Sequence, residues 1–163
     1  MAAAAPPYEI LALPMGEHRC RALRAALDAR RWRPKYRDGV AKDLCYSDTI
    51  FQGPILDEIK KLLPQEIFRY NTIQANRYDP EWWTHSEIHQ DAGNYQDSRM
   101  MVLGDFQGGD FLIFPNGRDQ APLRIRERYQ WIKFDGHLFH GSEPITRGIR
   151  YSVIAFRFGD RET

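Results

Sequence analysis

The chain has 163 residues, enough for one domain of ordinary size and not for two. Lys and Arg number 23 against 22 Asp and Glu, a formal charge of +1 that excludes a strongly basic nucleic-acid coat protein. With 42% hydrophobic and 28% charged residues the composition is that of a folded globular chain, and the 13% of aromatic residues is rich, several standing beside polar clusters.

Cys20 and Cys45 form neither a Cys-x-x-Cys pair nor a disulfide framework, and are read as reduced thiols. The start of the chain, MAAAAPPYEILALPMGEH, has no basic region of a secretory signal, and its longest apolar stretch is too short to span a bilayer. The expectation is a soluble intracellular protein, cytoplasmic or nuclear, with no membrane partner. Up to about Leu63 the apolar spacing is helical. Cys20, Leu23 and Leu27 fall on one helical face, with Arg19, Arg21, Arg24, Arg30 and Arg31 largely around the other. A second helix is predicted from Pro54 through Ile55, Ile59, Leu62 and Leu63, closed by Pro64.

From Tyr70 the spacing changes to period two. The runs YNTIQANRYD, RMMVLGDF, GGDFLIFPNG, RYQWIKFDG and IRYSVIAFRF read as strands, with Gly108-Gly109, Asn116-Gly117 and Asp135-Gly136 between them. Five or more short strands after two helices, with no βαβ rhythm, predict an antiparallel double-sheet barrel or sandwich braced by helices. The last strand is the clearest: Arg150, Ser152, Ile154 and Phe156 share one face, and Ile149, Tyr151, Val153 and Ala155 the other. Gly108 and Gly109 are read as a tight turn, not as a phosphate cradle.

Five histidines carry the chemistry: His18, His85, His89, His137 and His140. His89 and Asp91, at i and i+2, point to one side of a strand or strand end. With the distant His140 they match the facial triad that holds non-haem Fe(II) and leaves coordination positions open. Arg150, with Ser152 on the same face, can take the remote carboxylate of a cosubstrate in a bidentate pair. His85 and His89 at i, i+4 also suggest a zinc helix, yet Glu87 stands one place late for the zinc-protease pattern. His137, three residues before His140, is an alternative ligand by type, and is read as an ordinary polar residue near the mouth.

The segments NRYDPEWWTHSEIHQDAGN, GDFQGGDFLIF and FDGHLFHGSEPITRGIRYSVIAF together resemble the 2-oxoglutarate and Fe(II)-dependent oxygenases, whose pattern is His-x-Asp, a distal His, and Arg-x-Ser about ten residues later. Gly-Asp-Phe-x-Gly-Gly-Asp-Phe and His-Gly-Ser-Glu-Pro followed by Arg-Tyr-Ser resemble the TET/JBP branch, which oxidises methyl groups of pyrimidine bases. Asn-Arg-Tyr-x-Pro with His-Gln-Asp is similar to the AlkB branch, which demethylates alkylated bases. The AlkB pattern has an Asn two places after its first Arg and a second Arg six places after it. Here those positions hold Ser152 and Phe156, and Arg157 comes seven places on and on the opposite strand face, so the TET/JBP likeness is the nearer.

The resemblance implies an α+β fold with a double-stranded β-helix (jelly-roll) core and N-terminal bracing helices. It implies a single oxygenase domain over residues 1–163, helical to about 68 and jelly-roll over about 69–160. It implies Fe(II) on His89, Asp91 and His140, 2-oxoglutarate held by Arg150 and Ser152 with Asn76 and Tyr78, and O2 as co-reactant. With a carboxylate at Asp91, hydroxylation is expected and not halogenation. The substrate expected is a methyl group on a modified base in DNA or RNA, with Trp82, Trp83 and Asn94 as substrate residues, the two Trp as a stacking lid. The basic run Arg19 to Arg33 is the candidate phosphate contact. A hydroxylase of a protein side chain or small metabolite with the same iron site is the alternative, favoured by the near-neutral charge. A non-catalytic cupin-like module would show His-x-His and a following Glu, where this chain has His-x-Asp.

Overall fold

A computed structural model describes residues 6–11, 16–30, 32, 34–37, 40–46 and 72–159. In chain order the elements are β1 (Tyr8–Ile10), α1 (Glu17–Asp28), β2 (Pro34–Arg37), β3 (Val40–Tyr46), β4 (Thr72–Tyr78), β5 (Asn94–Gly108), β6 (Phe111–Phe114), β7 (Leu123–Ile125), β8 (Ile132–Phe134), β9 (Phe139–Ser142) and β10 (Ile145–Phe158). Seven strands form one sheet in the order β1-β8-β5-β10-β4-β3-β2, and three form a second in the order β7-β6-β9. Every neighbouring pair is antiparallel, in the double-sheet arrangement expected of a jelly-roll.

Period-two alternation sorts the seven-stranded sheet into two faces. On the outer face Ile73 and Ala75 of β4, Met101 and Leu103 of β5, and Tyr151, Val153 and Ala155 of β10 form one buried cluster with Trp131. Helix α1 packs here: Leu23 and Leu27, one turn apart on its apolar side, are fully buried in that cluster, while Arg21 and Arg24 face outward and pair with Glu17 and Asp28. The Tyr151 hydroxyl donates to Asp28 Oδ1 at 2.6 Å, and Trp32 stacks on the Tyr151 ring. The inner face meets the three-stranded sheet, where Tyr78, Met100 and Phe134 pack with Phe111, Ile113 and Ile125 in a second cluster.

The N-terminal part departs from the helical expectation. Three strands lie within it, and α1 is the one helix among the described residues. β1 pairs with β8, and the β2–β3 hairpin adds to the β4 edge through Leu44↔Arg77, Cys45↔Asn76 and Tyr46↔Ala75. The β1–β8 and β3–β4 pairings are made with backbone far along the chain, which a local apolar period does not register. The helix predicted over 54–64 lies outside the described residues. No described helix is long and apolar enough to cross a membrane.

Candidate active site

Segment 84–89, which leads to the first candidate ligand, has no regular structure of its own and is fastened along β9 and the start of β10. The Ile145 amide donates to the Thr84 carbonyl, Ser142 N–H to Ser86 O, and Ser86 N–H to the Ser142 hydroxyl, all within 3.0 Å. At the end of this row His89 and His140 exchange both backbone hydrogen bonds, each 2.9 Å. Gly141 permits the close approach, since a Cβ there would lie 2.9 Å from the Ser86 carbonyl oxygen. His85 and His89 therefore sit on an extended segment, and the i, i+4 zinc helix does not exist.

His89, Asp91 and His140 bring one ligand atom each to within 4.8 Å of one another, the one such group of three among the described residues. Both rings have a fixed tautomer. His89 Nδ1 lies 2.6 Å from the Glu87 carbonyl and His140 Nδ1 lies 2.7 Å from the Leu138 carbonyl, so each must carry its proton on Nδ1 and turn Nε2 inward. Those Nε2 atoms stand 3.2 and 3.1 Å from the two oxygens of Asp91. Lone pairs facing a carboxylate need a cation or protons between them, and two imidazoles with one carboxylate is the donor set of a non-haem Fe(II) site. Burial pushes the Asp91 carboxyl up, but His140 and His89, which can donate from Nε2 only when doubly protonated, outweigh it and hold the group well below the usual carboxylate range. His140 is buried, its ring edge-on to Phe134 at 5.2 Å, whereas His89 is open to the outside. His137 is exposed beside Asp135 and does not join the group.

The same residues open onto a cavity of about 300 Å³ between the two sheets. Its inner wall is the row that the period of β4 and β10 predicts: Tyr78↔Arg150, Asn76↔Ser152 and Gln74↔Ile154 are cross-strand pairs, all lining the cavity. Arg150 is 2% exposed. Burial pushes its guanidinium down from the usual range, opposed by Tyr78, and its Nε is buried with no hydrogen-bond partner. An orphaned, buried donor beside the metal-ligating set is a cradle for an anionic group, and the dicarboxylate 2-oxoglutarate fits it. Gly109, in the left-handed region at φ 71°, leaves room for the Arg150 stem; a Cβ there would stand 3.1 Å from Arg150 Cδ.

The expected substrate residues divide. Asn94 lines the cavity. Trp82 does not: it is 64% exposed on a turn built by Asp79, whose Oδ1 accepts from the amides of Glu81 and Trp82. Trp83 packs against the cluster between the sheets and is not a cavity wall. Arg19 to Arg30 belong to α1 and its end, across the seven-stranded sheet from the cavity; Arg31 and Arg33 lie outside the described residues. Gln74, Met100 and Phe134 line the cavity without having been singled out in the sequence. Gln74 was open to inference, because it shares a strand face with Asn76 and Tyr78 at intervals of two.

No protein-family model matches the chain, and no curated protein matches it in sequence. Among solved structures it is similar to an oxidoreductase of the 2OG-Fe(II) oxygenase family from Burkholderia pseudomallei, at 19% identity and TM-score 0.66 over 92% of this chain and 83% of that one. It is similar to a Pseudomonas putida prolyl-4-hydroxylase, at 17% identity and TM-score 0.63 over 93% and 92%. It is also similar to SnoK, a non-heme alpha-ketoglutarate-dependent carbocyclase from nogalamycin biosynthesis, at 13% identity and TM-score 0.61 over 93% and 79%. These likenesses do not single out the TET/JBP branch. What the chain shares with all three is a fold, that of the 2-oxoglutarate and Fe(II) oxygenases.

Proposed function

We propose that this protein is an Fe(II)- and 2-oxoglutarate-dependent oxygenase that hydroxylates a C–H bond. The observation that carries the reading is the convergence of two tautomer-fixed imidazoles, one carboxylate and the unpartnered Nε of buried Arg150 on one cavity. His89, Asp91 and His140 would hold the metal, and Arg150, Tyr78, Asn76 and Ser152 the cosubstrate. Bound together, iron and 2-oxoglutarate would supply the oxidising power, O2 placing one atom in the substrate C–H bond as 2-oxoglutarate becomes succinate and carbon dioxide. The chain's own work is to bind and to exclude water. The carbonyls of Glu87 and Leu138 keep each Nε2 free of its proton, and Phe111 and Phe134 keep water from the His140 side.

On the substrate side, Gln74, Asn94, Met100, Ile154 and Phe156 offer carboxamide and apolar surface without charge. That wall suits a neutral group with hydrogen-bonding edges. A methylated nucleobase is such a group, and the TET/JBP-like motifs favour it; α1 and the two Trp, lying away from the cavity, give it no support. The test is anaerobic titration of the apoprotein with Fe(II) and then 2-oxoglutarate. A weak visible charge-transfer band is expected for the wild type and is lost in Asp91→Ala; a folded wild type without the band would sink the proposal. Succinate release with methylated oligonucleotides against peptides then separates the substrates.

A further inference from the structure

Three hydrogen-bonding side chains run up the inner wall from the Arg150 end of the cavity outward. Gln74 Nε2 donates to Asn76 Oδ1 at 3.2 Å, and Asn76 Nδ2 donates to Ser152 Oγ at 3.2 Å. The lower two are buried, Asn76 at 5% exposure and Ser152 at 2%, and Gln74 is half-buried at the outer end. All three line the cavity.

Such a ladder has a direction. A carboxamide presents N–H at one end and C=O at the other, and a hydroxyl has one proton. With Gln74 donating, Asn76 turns its carbonyl outward and its amide toward Ser152. Ser152 then accepts from Asn76 and keeps its own proton to donate into the cavity, two residues along the same strand face from Arg150. Were the ladder reversed, Ser152 would donate to Asn76, and a lone pair in place of a proton would face an incoming carboxylate. The residue that sets the direction is therefore the outermost one.

We propose that Gln74 is a positioning residue: its side-chain N–H fixes the polarity of the Gln74–Asn76–Ser152 ladder so that the Ser152 hydroxyl donates to the far carboxylate of the cosubstrate. This rests on the reading that the cavity holds 2-oxoglutarate beside Arg150. Gln74 touches neither metal nor cosubstrate in this scheme and acts through the two buried groups below it.

The test compares two 2-oxo acids on the Fe(II)-loaded protein under anaerobic conditions. 2-Oxoglutarate has the far carboxylate, and 2-oxobutyrate has the same metal-chelating end without it. Gln74→Glu offers no N–H when ionised and forces the reversed ladder. It is expected to weaken 2-oxoglutarate about tenfold, the order of one lost hydrogen bond to a charged acceptor, while 2-oxobutyrate stays within about twofold. Gln74→Met, which removes the donor without imposing the reverse direction, falls between the wild type and Gln74→Glu. In a Ser152→Ala background the Gln74→Glu change adds nothing further, because the group it acts through is gone. Equal losses for both acids, or none for either, in variants with wild-type circular dichroism overturn the assignment. So does a Gln74→Glu effect that persists at full size without Ser152, which would be direct repulsion by the new charge. Absence of any 2-oxoglutarate band in the wild type brings down the underlying reading, and the ladder with it; a wild-type band with unaltered variants brings down the ladder alone.

Discussion

The two faces of the seven-stranded sheet are made from alternate residues of the same strands, yet they do opposite things. On β10, Tyr151, Val153 and Ala155 enter an apolar cluster under α1, while Arg150 and Ser152 line the cavity. One face gains stability from removing apolar surface from water. The other holds a buried cation whose Nε has no partner, an arrangement that folding alone does not favour. A strand with both faces covered can therefore carry a binding site at one residue's remove from its own support.

The most severe test of this contrast is Arg150→Met. Loss of the buried cation is expected to weaken 2-oxoglutarate by about 2–5 kcal/mol, read from the anaerobic titration. The denaturation midpoint of the ligand-free protein should hold or rise, since an apolar side chain replaces a buried charge. Leu27→Ala on the other face should do the converse. It is expected to lower stability by about 2–5 kcal/mol in urea unfolding and to leave the 2-oxoglutarate affinity of the folded fraction unaltered.

How much of this was legible in the sequence differs between the faces for the same reason that their tasks differ. β10 is long and keeps an unbroken register from Arg147 to Ala155, so the assignment of Arg150 and Ser152 to one face and Tyr151 and Val153 to the other needed only the period of the strand. His89, Asp91 and His140 were legible as residue types at a spacing, and their meeting required β9 to run back along segment 84–89, which no local pattern encodes. β7 and β9 have three and four residues, too few for a period to show. Helix α1 announced its buried side through Leu23 and Leu27, but the β2–β3 hairpin owes its place to pairing with β4. The two adjacent tryptophans were equal as sequence. Only the turn at Asp79 separates them, leaving Trp82 in solvent and Trp83 between the sheets.

A smaller effect belongs to the outer face. Tyr151→Phe removes a 2.6 Å hydrogen bond to a carboxylate and is expected to cost about 1.5–3 kcal/mol of stability. Burial, and then the Asp28 bond, push the Tyr151 phenol above its ordinary range. The folded pKa is raised, so this contribution is complete below the ordinary tyrosine value of about 10 and declines as pH climbs above it. The gap between wild type and Tyr151→Phe should hold to about that pH and narrow beyond it, measured as urea midpoints across a pH series. The smallest expected effect is that of Trp82→Ala: a change within about 0.5 kcal/mol in stability and no change in the Fe(II) and 2-oxoglutarate titration, since the ring reaches neither face.

The paired backbone bonds between His89 and His140 bear on how a metal ion would meet this protein. Residues roughly fifty apart are already tied at that point by two amide hydrogen bonds. Closing a loop of such length has an entropic cost of about 3–4 kcal/mol, and here the fold, not the ion, closes it. The ion would enter a gap already bounded on three sides, so its departure would unlace nothing: a chelator would empty the site and leave the sheets standing, and the same chain could be loaded, stripped and reloaded without passing through an unfolded state.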